Sequence, residues 1–122
     1  MHKKIMYTCR MSSSKLLKGS LATIVLKLLE EHEKMYGYEI TQRVKEITAG
    51  EFKITEGALY PTLHKLEAEN LLTTETQKVD GRVRKYYKLT KEGNAAAVSK
   101  VAELEEFIVS LQKLLDPKLG LG

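Results

Sequence analysis

Thr55-Glu56-Gly57-Ala58-Leu59-Tyr60-Pro61-Thr62-Leu63-His64-Lys65-Leu66-Glu67, then Leu72-Thr73-Thr74-Glu75-Thr76-Gln77, Asp80-Gly81 and Val83-Arg84-Lys85-Tyr86-Tyr87-Lys88-Leu89, is the stretch on which the fold of this chain turns. Leu59, Leu63 and Leu66 recur at helical spacing, so one side of a helix is buried, and Leu71 continues that side where the chain leaves the helix after Asn70. Thr55 stands where an N-cap belongs, since its hydroxyl oxygen can accept from a free amide of the first turn. The next two segments are rich in β-branched and aromatic residues. They flank Asp80-Gly81, a pair suited to a tight turn, and read as a two-stranded hairpin.

Pro61 sits badly in the middle of such a helix, where a proline costs about 3 kcal/mol. Two readings follow. Either the helix starts at Thr55 and bends, with Gly57 four residues back easing the crowding, or the regular helix starts at Tyr60 with Pro61 at its first position. The bent helix is the preferred expectation.

Upstream, Leu17, Leu21, Ile24, Val25, Leu28 and Leu29 form the stripe of an amphipathic helix over about Lys15 to Glu31. Gly19 weakens its start, so the regular part is expected from Ser20, which can cap it. Tyr36-Gly37-Tyr38 breaks the pattern. A second, shorter stripe, Ile40, Val44 and Ile47, stops at Ala49-Gly50, and Phe52-Lys53-Ile54 alternates as a short edge strand would. Downstream, Thr90 is the cap of a last helix in which Ala97, Val101, Leu104, Ile108, Leu111 and Leu115 are spaced 4, 3, 4, 3 and 4 until Asp116-Pro117 ends it.

The 122 residues fit one folding unit with a core, and 43% hydrophobic with 30% charged residues is the composition of a folded chain. The single cysteine, Cys9, cannot close an intramolecular disulfide, and no Cys/His cluster has zinc spacing, so no metal or other cofactor is expected. No apolar run is long enough for a signal peptide or a membrane span, which predicts a cytoplasmic protein with no membrane partner.

Charge is unevenly placed along the chain, which carries a net +4. Residues 1–20 hold five Lys/Arg and no acid, 21–72 six against nine, 73–91 six against two, and 92–122 three against five. The basic segment at 73–91 is the hairpin, where an acidic partner would bind.

Three helices followed by a hairpin with a basic tip is the order of a winged helix-turn-helix, a mainly α fold with a small β-hairpin. The expected organisation is a basic N-terminal extension over 1–14, a winged-helix DNA-binding domain over 15–90, a C-terminal dimerisation helix over 91–116 and a tail over 117–122. With the leucines inward, Gly57, Pro61, His64, Lys65 and Ala68 turn outward, with Thr55, Glu56 and Tyr60 near the leading end. That surface is nearly uncharged and suits base edges. Lys78, Arg82, Arg84, Lys85 and Lys88 on the hairpin would supply the attraction to phosphates. The other tyrosines, Tyr36, Tyr38, Tyr86 and Tyr87, read as half-buried packing residues with a wet hydroxyl. Val101, Leu104, Ile108, Leu111 and Leu115 form a seam that a second copy of the chain would cover, making a homodimer.

Tyr36-Gly37-Tyr38-Glu39-Ile40, Glu56-Gly57-Ala58-Leu59-Tyr60-Pro61-Thr62-Leu63 with Leu66-Glu67, and Gly81-Arg82-Val83-Arg84-Lys85-Tyr86-Tyr87-Lys88-Leu89-Thr90 occur in order. Together they resemble the PadR-like family of bacterial transcriptional regulators over about residues 15–115, in the short branch with a single C-terminal helix. The extension at 1–14 matches none of its motifs. The resemblance implies that Tyr60 and its neighbours open the recognition helix, that the arginine-rich hairpin is the wing, and that the last helix pairs with its twin. It also implies a repressor released by a small aromatic or lipophilic ligand near the dimer interface; Leu104 and Phe107 either line such a cavity or, as residues at helical spacing more often do, belong to plain core.

Two other function classes are weaker readings. An enzyme needs a nucleophile with its base, paired carboxylates, a metal set or a phosphate loop, and none is visible, His2, His32 and His64 being far apart. The alternative is a winged-helix protein-assembly module without sequence-specific DNA binding, against which the basic wing argues.

Overall fold

The computed structural model describes residues 17–116 and 118; the expected extension over 1–14, Cys9 with it, and most of the tail lie outside the described residues. The elements run α1 (Leu21–Glu31), β1 (Met35–Tyr36), α2 (Gly37–Ile47), α3 (Glu56–Ala68), β2 (Leu72–Val79), β3 (Arg82–Leu89) and α4 (Lys91–Leu115). The three strands make one antiparallel sheet in the order β1-β3-β2.

Helix α1 is the centre of the packing. Leu21, Val25, Leu26, Leu28 and Leu29 are all buried, a wider arc than one stripe, because α3, β3 and α4 each pack against it. The helix starts just past Gly19 as expected, but Ser20 in the N-cap position makes no capping side-chain bond. Ile40 and Val44 of α2, Leu59, Leu63 and Leu66 of α3, Leu72 of β2 and Tyr87 of β3 complete the core with Met35 and Ala97. Burying each such aliphatic side chain contributes roughly 1.5–3 kcal/mol.

Several expectations are corrected. Phe52-Lys53-Ile54 is no strand: Ile54 is buried and Phe52 packs half-buried on the core, so the alternation reports burial of an extended segment with no strand beside it. The third strand is instead Met35–Tyr36, which pairs with Tyr87 and Tyr86. Tyr36-Gly37-Tyr38 does separate the two helices as expected, and it also opens the second: α2 starts at Gly37, with Glu39 Oε1 accepting from Tyr36 N at 3.1 Å. Ile47 is 58% exposed rather than part of the buried stripe, being the last residue of α2. Tyr38 is 54% exposed and Tyr87 wholly buried, while Tyr36 and Tyr86 are half-buried as expected.

The remaining turns follow their residues. Ala49 and Gly50 take positive φ of 52° and 82° and end α2, and Asn70 at 63° turns the chain out of α3. Asp80 and Gly81, at 52° and 78°, make the two-residue hairpin loop with Val79 opposite Arg82. Thr90 caps α4 by accepting from Gly93 N at 2.9 Å, and its hydroxyl donates to Asn70 O at 2.7 Å. Gly93 is required there: a Cβ would collide with the carbonyl oxygen of Leu71.

Candidate nucleic-acid interface

Helix α3 is capped at Thr55, whose Oγ1 accepts from Ala58 N at 3.2 Å, and it runs through Pro61 without restarting there. Of the two readings of Pro61, the start at Tyr60 is therefore excluded. Pro61 lies on the exposed side, where the carbonyl it leaves unpaired can reach water. Thr55, Glu56, Gly57, His64, Lys65 and Ala68 share that exposed side, and Leu59, Leu63 and Leu66 are buried, as the spacing requires.

Tyr60 departs from this simple division. It is half-buried and packs on the core, and its phenol occupies the space into which a Cβ on Gly37 would project. Burial, with Glu56 and Tyr87 nearby, holds the phenol above its ordinary pKa. The ring of His64 lies 6.3 Å from that of Tyr60, tilted by 41°. Tyr60 thus anchors the leading end of α3 to the start of α2.

The wing cations do not form one patch. Side chains alternate along a strand and directly opposed residues share a face, so Lys78 and Lys85 lie on the face of Leu72, Tyr87 and Leu89, and Arg82, Arg84 and Lys88 on the other. Lys85 Nζ is 3.8 Å from Glu67 Oε1 of α3, which fixes the first face as the one turned toward that helix. Among the described residues, no ion pair engages Lys78 or Arg82.

The opposite face carries a polar and aromatic cluster that sequence reasoning missed. Glu75 accepts from Lys34 Nζ at 2.7 Å and from Gln77 Nε2 at 3.1 Å, with Lys88 Nζ 3.9 Å away. The hydrogen bonds from Lys34 and Gln77 hold the Glu75 carboxyl below its ordinary range, and the same contact raises Lys34. Lys34 lies 5.3 Å from the Tyr86 ring centre, Tyr86 meets Tyr36 edge-on at 5.5 Å, and the Arg84 guanidinium sits 4.3 Å over Tyr36. Only the aromatic motif positions hinted at this cluster; the ion pair between Lys34 and Glu75 spans 41 residues and leaves no local signal.

In α4 the seam is covered only at its start. Ala97 is buried, Val101 and Leu104 are half-buried, and Ile108, Leu111 and Leu115 are exposed, Leu115 at 77%. Phe107 is 60% exposed, so it and Leu104 enclose no cavity within one chain. Among the described residues, no group of His, Cys, Asp and Glu could hold a metal ion, and no helix is long and apolar enough to cross a membrane.

Known proteins share both pattern and fold. Residues 25–99 match the PadR-like family of transcriptional regulators. The transcriptional regulator Rv3488 of Mycobacterium tuberculosis is 41% identical over 73 residues, which span 60% of this chain and 65% of that protein. A transcriptional regulator from Clostridium thermocellum superposes with a TM-score of 0.74 at 30% identity, over 82% of this chain and 94% of that one. A PadR family regulator from Eggerthella lenta gives 0.74 at 30% identity, over 92% and 97%. All three are described as transcriptional regulators, and the two solved structures share this chain's mainly helical winged-helix fold with its small sheet. The chain belongs to the PadR-like family of transcriptional regulators.

Proposed function

We infer that this regulator binds double-stranded DNA sequence-specifically as a homodimer, with α3 in the major groove and the β2–β3 hairpin on the flanking backbone. The observation that carries the reading is the pairing of an exposed, nearly neutral α3 face with a hairpin whose tip holds the unengaged cations Lys78 and Arg82. Glu56, Gly57, Pro61, His64 and Lys65 face the bases; Thr55 and Tyr60 hold the helix in place and contribute at its leading edge. Lys78, Arg82, Arg84 and Lys85 meet phosphates.

Residues 15–90 then act as the DNA-binding unit and 91–116 as the dimerisation helix, through Val101, Leu104, Ile108, Leu111 and Leu115. The exposed apolar residues in the second half of α4 support this pairing. In the cytoplasm the dimer represses its target, and a small aromatic or lipophilic molecule between the two copies, against Leu104 and Phe107, releases it.

The test is a titration of a duplex selected by the protein from a random pool, beside a scrambled duplex, at two salt concentrations. Lys78→Ala or Arg82→Ala is expected to weaken both complexes and lower the salt slope by about one per lost phosphate contact. His64→Ala is expected to cost the selected duplex roughly 1–3 kcal/mol and the scrambled one little. Equal affinity for both duplexes with no salt dependence would leave an assembly module as the better reading.

A further inference from the structure

Two neighbouring residues at the start of α2 touch both elements assigned to DNA. Gly37 is buried, and the place of its missing side chain is filled by the phenol of Tyr60 from α3. Tyr36, one residue earlier, belongs to β1 and carries the Arg84 guanidinium of β3 at 4.3 Å from its ring centre, with the Tyr86 ring edge-on behind it. The dipeptide is itself fixed, because Tyr36 pairs with Tyr86 in the sheet and its amide donates to Glu39 Oε1.

We propose that Tyr36–Gly37 is a positioning hub that sets the wing and the recognition helix relative to each other, Gly37 by seating Tyr60 and Tyr36 by holding Arg84. The inference rests on the DNA-binding reading above. The Arg84 guanidinium, held over the Tyr36 ring and by the Tyr86 hydroxyl, keeps its remaining N–H donors for a phosphate, and the ring removes rotamer freedom that binding would otherwise have to remove. Tyr36 therefore acts on DNA through Arg84 without contacting it. Gly37 acts through Tyr60 in the same indirect way: a methyl group there would drive the phenol, and with it the leading turn of α3, away from α2.

The experiment is a double-mutant cycle on the full chain, using the selected and scrambled duplexes. Tyr36→Leu is expected to weaken both complexes three- to tenfold and to reduce the salt slope as much as Arg84→Ala does, and the double variant should be no weaker than Arg84→Ala alone. Tyr36→Phe, which keeps the ring, should restore binding. Gly37→Ala should reduce preference for the selected duplex and lower the melting temperature, and adding Tyr60→Leu, which vacates the space, should recover the melting temperature. That recovery is read by thermal melting even if Gly37→Ala alone is too unstable to bind. Additive losses from Tyr36→Leu and Arg84→Ala, or no recovery by Tyr60→Leu, would overturn the hub. A wild-type protein that bound neither duplex would instead overturn the DNA-binding reading and leave the melting arm to judge the packing.

Discussion

The hydroxyl oxygen of Thr55 already accepts from Ala58 N, and that bond would tie its proposed contribution on DNA to its work as a cap. Thr55→Ala is expected to cost about 1 kcal/mol of folding stability, lowering the melting temperature by a few degrees, whereas Thr55→Ser should melt like the parent. Any loss of DNA affinity in Thr55→Ala then has to be read against that melt. The division of α3 into a leucine side and an exposed side was legible in the sequence because helical spacing alone decides it. The fit of Tyr60 against Gly37 was not, because it joins residues 37 and 60 through a contact that no periodicity encodes. The same holds for Arg84, readable as a wing cation from its strand but not as a guanidinium stacked on Tyr36.

At the level of elements, the β2–β3 hairpin could be read because Asp80-Gly81 declares its own turn, with both residues at positive φ. Strand β1 could not. Two residues, Met35 and Tyr36, are too few to show an alternation, and only their partners Tyr87 and Tyr86 make them a strand. The outer face of this sheet is held by Glu75 with Lys34, which gives it a pH dependence of known sign. Glu75 titrates lower in the folded chain, so its contribution is complete above an unfolded value of about 4.3 and is lost as pH falls through the folded value. Lys34 is raised, so its contribution is present below an unfolded value of about 10.4 and is lost as pH rises through the folded one. Glu75→Gln is expected to melt below the parent at neutral pH and to converge with it in acid, which a series of thermal melts from pH 7 down to about 3 would check.

For the whole molecule, the apolar seam of α4 was plain from the sequence, but how much of it a single chain covers was not. Within one chain, where α1 packs against α4, Ala97 is fully buried and Val101 and Leu104 in part, and Ile108 and Leu111 stay exposed. Glu at positions 108 and 111 (Ile108→Glu with Leu111→Glu) should therefore leave the melting of the single chain nearly unchanged while giving monomers in sedimentation at micromolar concentration. The monomer should bind the selected duplex more weakly, since two half-sites are read together only when a partner fixes their spacing. The hairpin has a further consequence of its own. Strand β1 braces β3 only at Tyr86 and Tyr87, while β2 accompanies it to Arg82, so the outer part is a two-stranded arm about 14 Å long with its base clamped and its end free. On the proposed reading, a charged arm of that kind would meet the duplex before α3 is seated, and its part would be kinetic: it would govern how often encounters are captured, and α3 how long they last. In stopped-flow and surface-binding measurements, Arg82→Ala is expected to slow association with little change in dissociation, and His64→Ala to do the reverse.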